Sequence, residues 1–213
     1  MKTFPLPFLV LLMLCSMTLH ATAQRTIHDN SRLRDGDLLF VVTPTGNAIT
    51  AVTSGIRSLP IDHVGIYHTE NGQGMVLEAN YDGVVDTPFD LFTHRNPQLL
   101  VGRVKGHIDI PQSILNAHSY LGRPYDFVFL PDNNAIYCSE LVQKSYVDSS
   151  GQLLFSPIGM SFHNSEGQLL PYWIDFYSRR GLDVPEGQPG SNPGEMSRRK
   201  NVKIKYKITP IAK

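Results

Sequence analysis

The chain has 213 residues, about one domain's worth, and 41% of them are hydrophobic, enough to bury a core. Nineteen Lys and Arg balance nineteen Asp and Glu, which argues against a nucleic-acid binder or a protein drawn strongly to a charged membrane. Two cysteines, Cys15 and Cys138, are too few for a disulfide framework.

The first 23 residues read as a signal peptide. Lys2 supplies a positive start, Phe8 to Leu14 an apolar run too short to span a bilayer, and Ala21-Thr22-Ala23 a small-x-small cleavage pattern. Cleavage after Ala23 leaves residues 24–213 as a single domain without a transmembrane segment, exported to the periplasm or beyond. Leu14 stands where a lipid-anchoring signal at Cys15 needs a small residue, which argues against that anchor. Export then leaves Cys138 as a lone thiol in an oxidising compartment, where it is either buried or useful.

Asp35-Gly36-Asp37 is a turn leading into an apolar strand, Leu38 to Val42. Residues 43–60 read as a loop with one short helical turn. Ile61 to His68 and Met75 to Asn80 form a hairpin about Glu70-Asn71-Gly72-Gln73-Gly74, and Gly83-Val84-Val85 and Leu99 to Val104 add two strands. A helix opens at Pro111 and closes near Gly122, a second runs from about Tyr137 to Asp148, and a third from Pro171 to Arg180. Residues 183–197 read as a Pro/Gly-rich loop. In the tail, Val202, Ile204, Tyr206 and Ile208 alternate with Lys203, Lys205 and Lys207, the pattern of an edge strand with one charged face; a docking surface for an anionic glycan or lipid is the alternative. Strands and helices in separate runs predict an α+β fold.

The chemistry gathers at three places. Cys138 falls in the first turn of the second helix, where free backbone N–H groups and the dipole's positive end favour a thiolate. The N–H groups of Cys138 and Ser139 are candidate oxyanion donors there. His63, on the strand Asp62-His63-Val64-Gly65, is the candidate base; Gly65 on the same face leaves room for a helix end or a substrate, and a core histidine is the alternative. An even-length hairpin loop puts Glu78 on the His63 face, where its carboxylate can orient the ring, whereas Asp62 points to the other face. His63 and His68 fall on opposite faces and no other His/Cys/Asp/Glu grouping has ligand spacing, so neither a metal nor an organic cofactor is expected.

Gly36-Asp37-Leu38-Leu39-Phe40, Asp62-His63-Val64-Gly65-Ile66-Tyr67 and Leu77-Glu78-Ala79 resemble the sheet of NlpC-type papain-fold hydrolases. Tyr137-Cys138-Ser139-Glu140-Leu141-Val142 follows the histidine strand, an order similar to the circularly permuted branch, the YiiX/YebB-like cysteine hydrolases. Gly122-Arg123-Pro124-Tyr125-Asp126 adds to the likeness, which covers most of residues 33–147. The resemblance implies a permuted papain-like fold, an antiparallel sheet or barrel packed against helices, with Cys138 as nucleophile, His63 as base and Glu78 as third member. Tyr125 and Tyr137 become candidates for the cleft wall, with core packing as the other reading. The expected substrate is a small peptide, cell-wall fragment or N-acyl compound cleaved at an amide bond. Lipid or N-acyl acyl transfer or esterolysis by the same residues, and a non-catalytic binding module, are the competing readings. Acyltransferases related to lecithin:retinol acyltransferase share the permuted order, but they carry a second histidine where Glu78 stands.

Overall fold

The computed structural model describes residues 31–209; the leader and Cys15 lie outside the described residues. A six-stranded sheet carries the molecule, made of β1 (Asp37–Val42), β2 (Ile61–Glu70), β3 (Gln73–Asn80), β4 (Gly83–Pro88), β5 (Leu99–Val104) and β8 (Val202–Ile208). Its order is β4-β3-β2-β1-β5-β8, antiparallel throughout. Among the described residues it is accompanied by six α-helices: α1 (Ala48–Val52), α2 (Phe89–Arg95), α3 (Ile110–His118), α4 (Cys138–Ser145), α5 (Pro171–Ser178) and α6 (Pro193–Ser197). A small ribbon pairs β6 (Ile158–Gly159) with β7 (Pro189–Gly190). The α+β expectation holds, and among the described residues no helix is long and apolar enough to cross a membrane.

Alternation along the strands decides which layer each residue joins. Leu38, Phe40, Val64, Ile66, Leu77 and Ala79 face one side and pack with Leu141, Val142 and Tyr146 at α4. Leu39, Val41, Tyr67 and Val76 face the other, under Phe89 and Phe92 of α2. A third cluster, outside the sheet, joins Met160, Phe162, Trp173 and Tyr177 to Ile49, Val52 and Phe129.

The hairpin between β2 and β3 turns on two residues. Glu70 pairs with Gln73, and Asn71 and Gly72 both take positive φ, 50° and 79°, as a tight turn matched to the strand twist requires. That even loop sets Ile66 opposite Leu77 and fixes which β3 side chains share the His63 face.

Three sequence expectations change, and one stretch that carried no expectation is ordered. The segment 183–197 contains α6, opened by Asn192, whose side chain accepts from the Glu195 N–H at 2.6 Å. The stretch after Val85 is ordered as the end of β4 and then α2, a seven-residue helix anchored by Phe89 and Phe92. The helix opening at Cys138 stops at Ser145, because Tyr146 turns extended and buries its ring, its hydroxyl donating to the Gly36 carbonyl at 2.7 Å. Space beside Gly65 is filled by neither a helix end nor a cleft: a Cβ there would lie 2.5 Å from Val76 Cγ1 and 3.4 Å from the Phe92 ring, so the glycine lets the α2 layer close on the sheet. The tail strand lies at the sheet edge beside β5, with Lys203, Lys205 and Lys207 exposed.

Candidate active site

Cys138 is the first residue of α4 and is only 3% exposed. Leu141 N–H bonds to the Tyr137 carbonyl as the first intrahelical hydrogen bond, so the N–H groups of Cys138 and Ser139 precede the regular ladder. The helix start is pinned from outside. Tyr137 N–H donates to Glu140 at 3.4 Å, Ser191 N–H donates to the Tyr137 hydroxyl at 2.9 Å, and the Ser191 hydroxyl donates to Ser139 Oγ at 3.0 Å. Burial pushes Glu140 up to about 7, against the pull of the Lys144 ammonium one turn on.

His63 sits near the start of β2, and its Nε2 lies 2.8 Å from Glu78 Oε2. Glu78 is 1% exposed and its other oxygen accepts from Thr87 Oγ1 at 2.7 Å and from Arg95 Nη2. Burial by itself would raise the Glu78 carboxyl, but the His63 hydrogen bond and charge, with Thr87 and Arg95, bring it down to about 2. For His63 the balance runs the same way toward ionisation. Burial would lower it, yet hydrogen bonding to Cys138 and Glu78 and the negative charge of both hold it up at about 10. With Nε2 committed to Glu78, Nδ1 is the ring atom left for the thiol.

The two halves open onto one divided cleft. Cys138 lines a narrow apolar lobe with Phe129, Met160, Phe162 and Trp173. His63 and Glu78 line a more polar lobe of about 830 Å³ with Asn47, Asn80 and Arg95. Ile49, Asp62 and Tyr125 border both. Asp62 is therefore on the cleft, contrary to the simple alternation, because the β1–β2 register shifts at Val41/Val42. Its Oδ2 accepts from Asn47 Nδ2, while its Oδ1 is buried without a hydrogen-bond partner.

Tyr125 is held there by its loop. Ile136 N–H donates to the Pro124 carbonyl at 2.9 Å, and the Asp126 carboxylate accepts from Val128 and Leu130 N–H at 2.8 and 2.7 Å. Tyr137 is anchored through its hydroxyl, so its ring forms wall rather than a free polar handle. Arg95, Thr87 and Ser191 were not signalled in the sequence, since each reaches the site from an element whose position depends on the sheet.

An antiparallel sheet bearing an imidazole–carboxylate pair, with a cysteine opening a helix packed on it, is the frame of papain-like cysteine hydrolases, here with the histidine strand ahead of the cysteine helix. The chain belongs to the permuted papain-like amidase family (YaeF/YiiX, C92), whose model matches residues 32–202. It is similar to the protein described as uncharacterized protein YiiX of Escherichia coli (strain K12), 31% identical over 123 residues. That stretch covers 54% of this chain and 58% of that protein, so the likeness spans little more than half the relative's length. The crystal structure of metalloprotein yiiX from Escherichia coli O157:H7 shares the fold at a TM-score of 0.67 and 24% identity, over 83% of this chain and 98% of that one.

Proposed function

We propose that this protein is an exported cysteine amidase that cleaves an amide bond between an apolar acyl group and a polar amine, using Cys138, His63 and Glu78. The observation that carries the reading is the 2.8 Å His63–Glu78 bond beside a cleft that Cys138 lines from a helix start. Cys138 Sγ attacks the carbonyl carbon as a thiolate, its proton resting on His63. The Cys138 and Ser139 N–H groups receive the charge that develops on the carbonyl oxygen. His63 then gives its proton to the departing amine, and later draws one from the water that hydrolyses the thioester. Glu78 keeps the ring in the tautomer that presents Nδ1 to sulfur and stabilises the imidazolium. The acyl part rests on Phe129, Met160, Phe162 and Trp173, and the amine part lies toward Asp62 and Asn80.

Small peptides, cell-wall fragments and N-acyl amino acids meet this description. Hydrolysis of a panel containing muropeptides, N-acyl amino acids and phospholipid analogues tests it: amide turnover lost in Cys138→Ala is expected. Turnover confined to phospholipid esters overturns the substrate class. The apolar lobe also favours a second reading, acyl transfer from a lipid or N-acyl donor by the same thioester. An added amine acceptor that diverts product from acid to amide distinguishes it.

The cysteine cleft is poorly suited to a metal ion, because both Glu78 oxygens are already engaged by His63, Thr87 and Arg95.

A further inference from the structure

A second group of chemistry-bearing side chains lies on the other face of β2. His68, Asp86 and His118 come from β2, β4 and the last residue of α3, and one ligand atom from each lies within 4.8 Å of the others. His68 Nε2 is 2.9 and 3.0 Å from the two Asp86 oxygens, and His118 Nε2 is 3.6 Å from Asp86 Oδ2. The two imidazoles meet edge to face, with centroids 5.1 Å apart and planes at 85°.

We infer that His68, Asp86 and His118 form a binding site for a divalent transition-metal ion of the zinc type, which ties the end of α3 to the sheet. Two imidazoles and a carboxylate are a common donor set for Zn²⁺, at about 2.0–2.2 Å from metal to ligand atom, which spaces tetrahedral ligands about 3.3 Å apart. The observed separations approach that edge, so closure needs only small side-chain rotations. Hard Mg²⁺ and Ca²⁺ prefer all-oxygen surroundings and fit the pair of imidazoles poorly.

Access and charge agree with an ion. His68 and His118 line a surface cleft of about 780 Å³, which leaves a path for the ion and for a water in the fourth position. Asp35 and Glu70 line the same cleft and add negative charge to it. His68 is 3% exposed, so one ligand is fixed by the sheet while His118, on the helix end, adjusts. None of the three belongs to the cysteine site, so this inference stands or falls independently of the amidase reading.

The test is Zn²⁺ titration of the chelator-stripped protein, with metal content and thermal melting as readouts. One Zn²⁺ per chain and a raised melting temperature are expected for the wild type and for Cys138→Ala. Asp86→Asn and His118→Ala should weaken binding by more than the about 100-fold that loss of an outer-shell partner costs, and lose the thermal gain. Both should still alkylate Cys138 at the wild-type rate. Co²⁺ should give a tetrahedral visible spectrum without a thiolate charge-transfer band. Binding unchanged in Asp86→Asn and His118→Ala, no binding at all, or a thiolate band that disappears in Cys138→Ala would each overturn the assignment.

Discussion

His63 Nε2 meets Glu78 Oε2 at 2.8 Å across two strands joined by the Asn71-Gly72 turn, and the far oxygen of Glu78 is held by Thr87 and Arg95. One ring nitrogen is thereby occupied from the sheet side and the other is left for sulfur. If His63 carries the proton from Cys138, His63→Ala should slow Cys138 alkylation most at mildly acidic pH, below the ordinary thiol range of about 8.5. Amide turnover should fall about 10²–10⁴-fold. An alkylation profile identical to the wild type would refute the pairing.

Glu78→Gln keeps the shape of the carboxylate but removes its charge. The expected loss is in kcat, about 10²–10⁴-fold, with KM nearly unchanged, because in the proposed mechanism Glu78 acts through His63 and not on the substrate. Steady-state kinetics separate this from a binding defect, which would move KM instead.

The same groups shape stability against pH. Glu78 falls to about 2 in the folded chain, from 4.5, so its contribution is full above 4.5 and is lost as pH drops toward 2. His63 rises to about 10 from 6.5, so its contribution is full below 6.5 and disappears as pH climbs through 10. Melting temperature should therefore decline on both sides of the interval from 4.5 to 6.5. In His63→Ala the alkaline decline should flatten.

Glu140 works in the opposite sense. Its carboxyl is raised by burial to about 7 from 4.5, so its ionisation weakens the fold as pH rises from 4.5 through 7 and costs a constant amount above. Glu140→Gln should raise the melting temperature above pH 7 by about 2–4 °C, the shift that about 1 kcal/mol produces in a chain of this size, and should change it little at pH 4.5. A destabilising effect at alkaline pH would mean that the Lys144 ion pair outweighs burial.

Gly83 takes φ +95°, and a Cβ there would stand 2.3 Å from the Arg123 carbonyl oxygen, which accepts the Val84 N–H. Gly83→Ala should destabilise by roughly 3 kcal/mol, since it adds a backbone clash to a strained φ. It should also loosen the loop that carries Tyr125 to the cleft, raising KM more than it lowers kcat.

Local rules made much of the site legible. Glu70 to Gly74 marked a hairpin turn whose even or odd length decides whether Glu78 shares the His63 face, and Tyr137-Cys138-Ser139 after a polar turn marked a helix start; the two-residue Asn71-Gly72 turn supplies the even count. What stayed hidden depended on register or on distant elements. Asp62 reached the cleft only because the β1–β2 pairing shifts at Val41/Val42. Arg95 reached Glu78 from a short helix whose anchors, Phe89 and Phe92, give too brief a pattern to read with confidence against a loop. His68 and Asp86 lie 18 positions apart, and His118 arrives from another layer, so no ligand spacing announced them.

The most direct test of the amidase account is intact-mass analysis of the protein during turnover of an N-acyl amide. The account predicts an acyl adduct on Cys138 that accumulates when hydrolysis is slowed and is absent in Cys138→Ala together with all turnover. Full turnover by Cys138→Ala, or an adduct on any other residue, would contradict it.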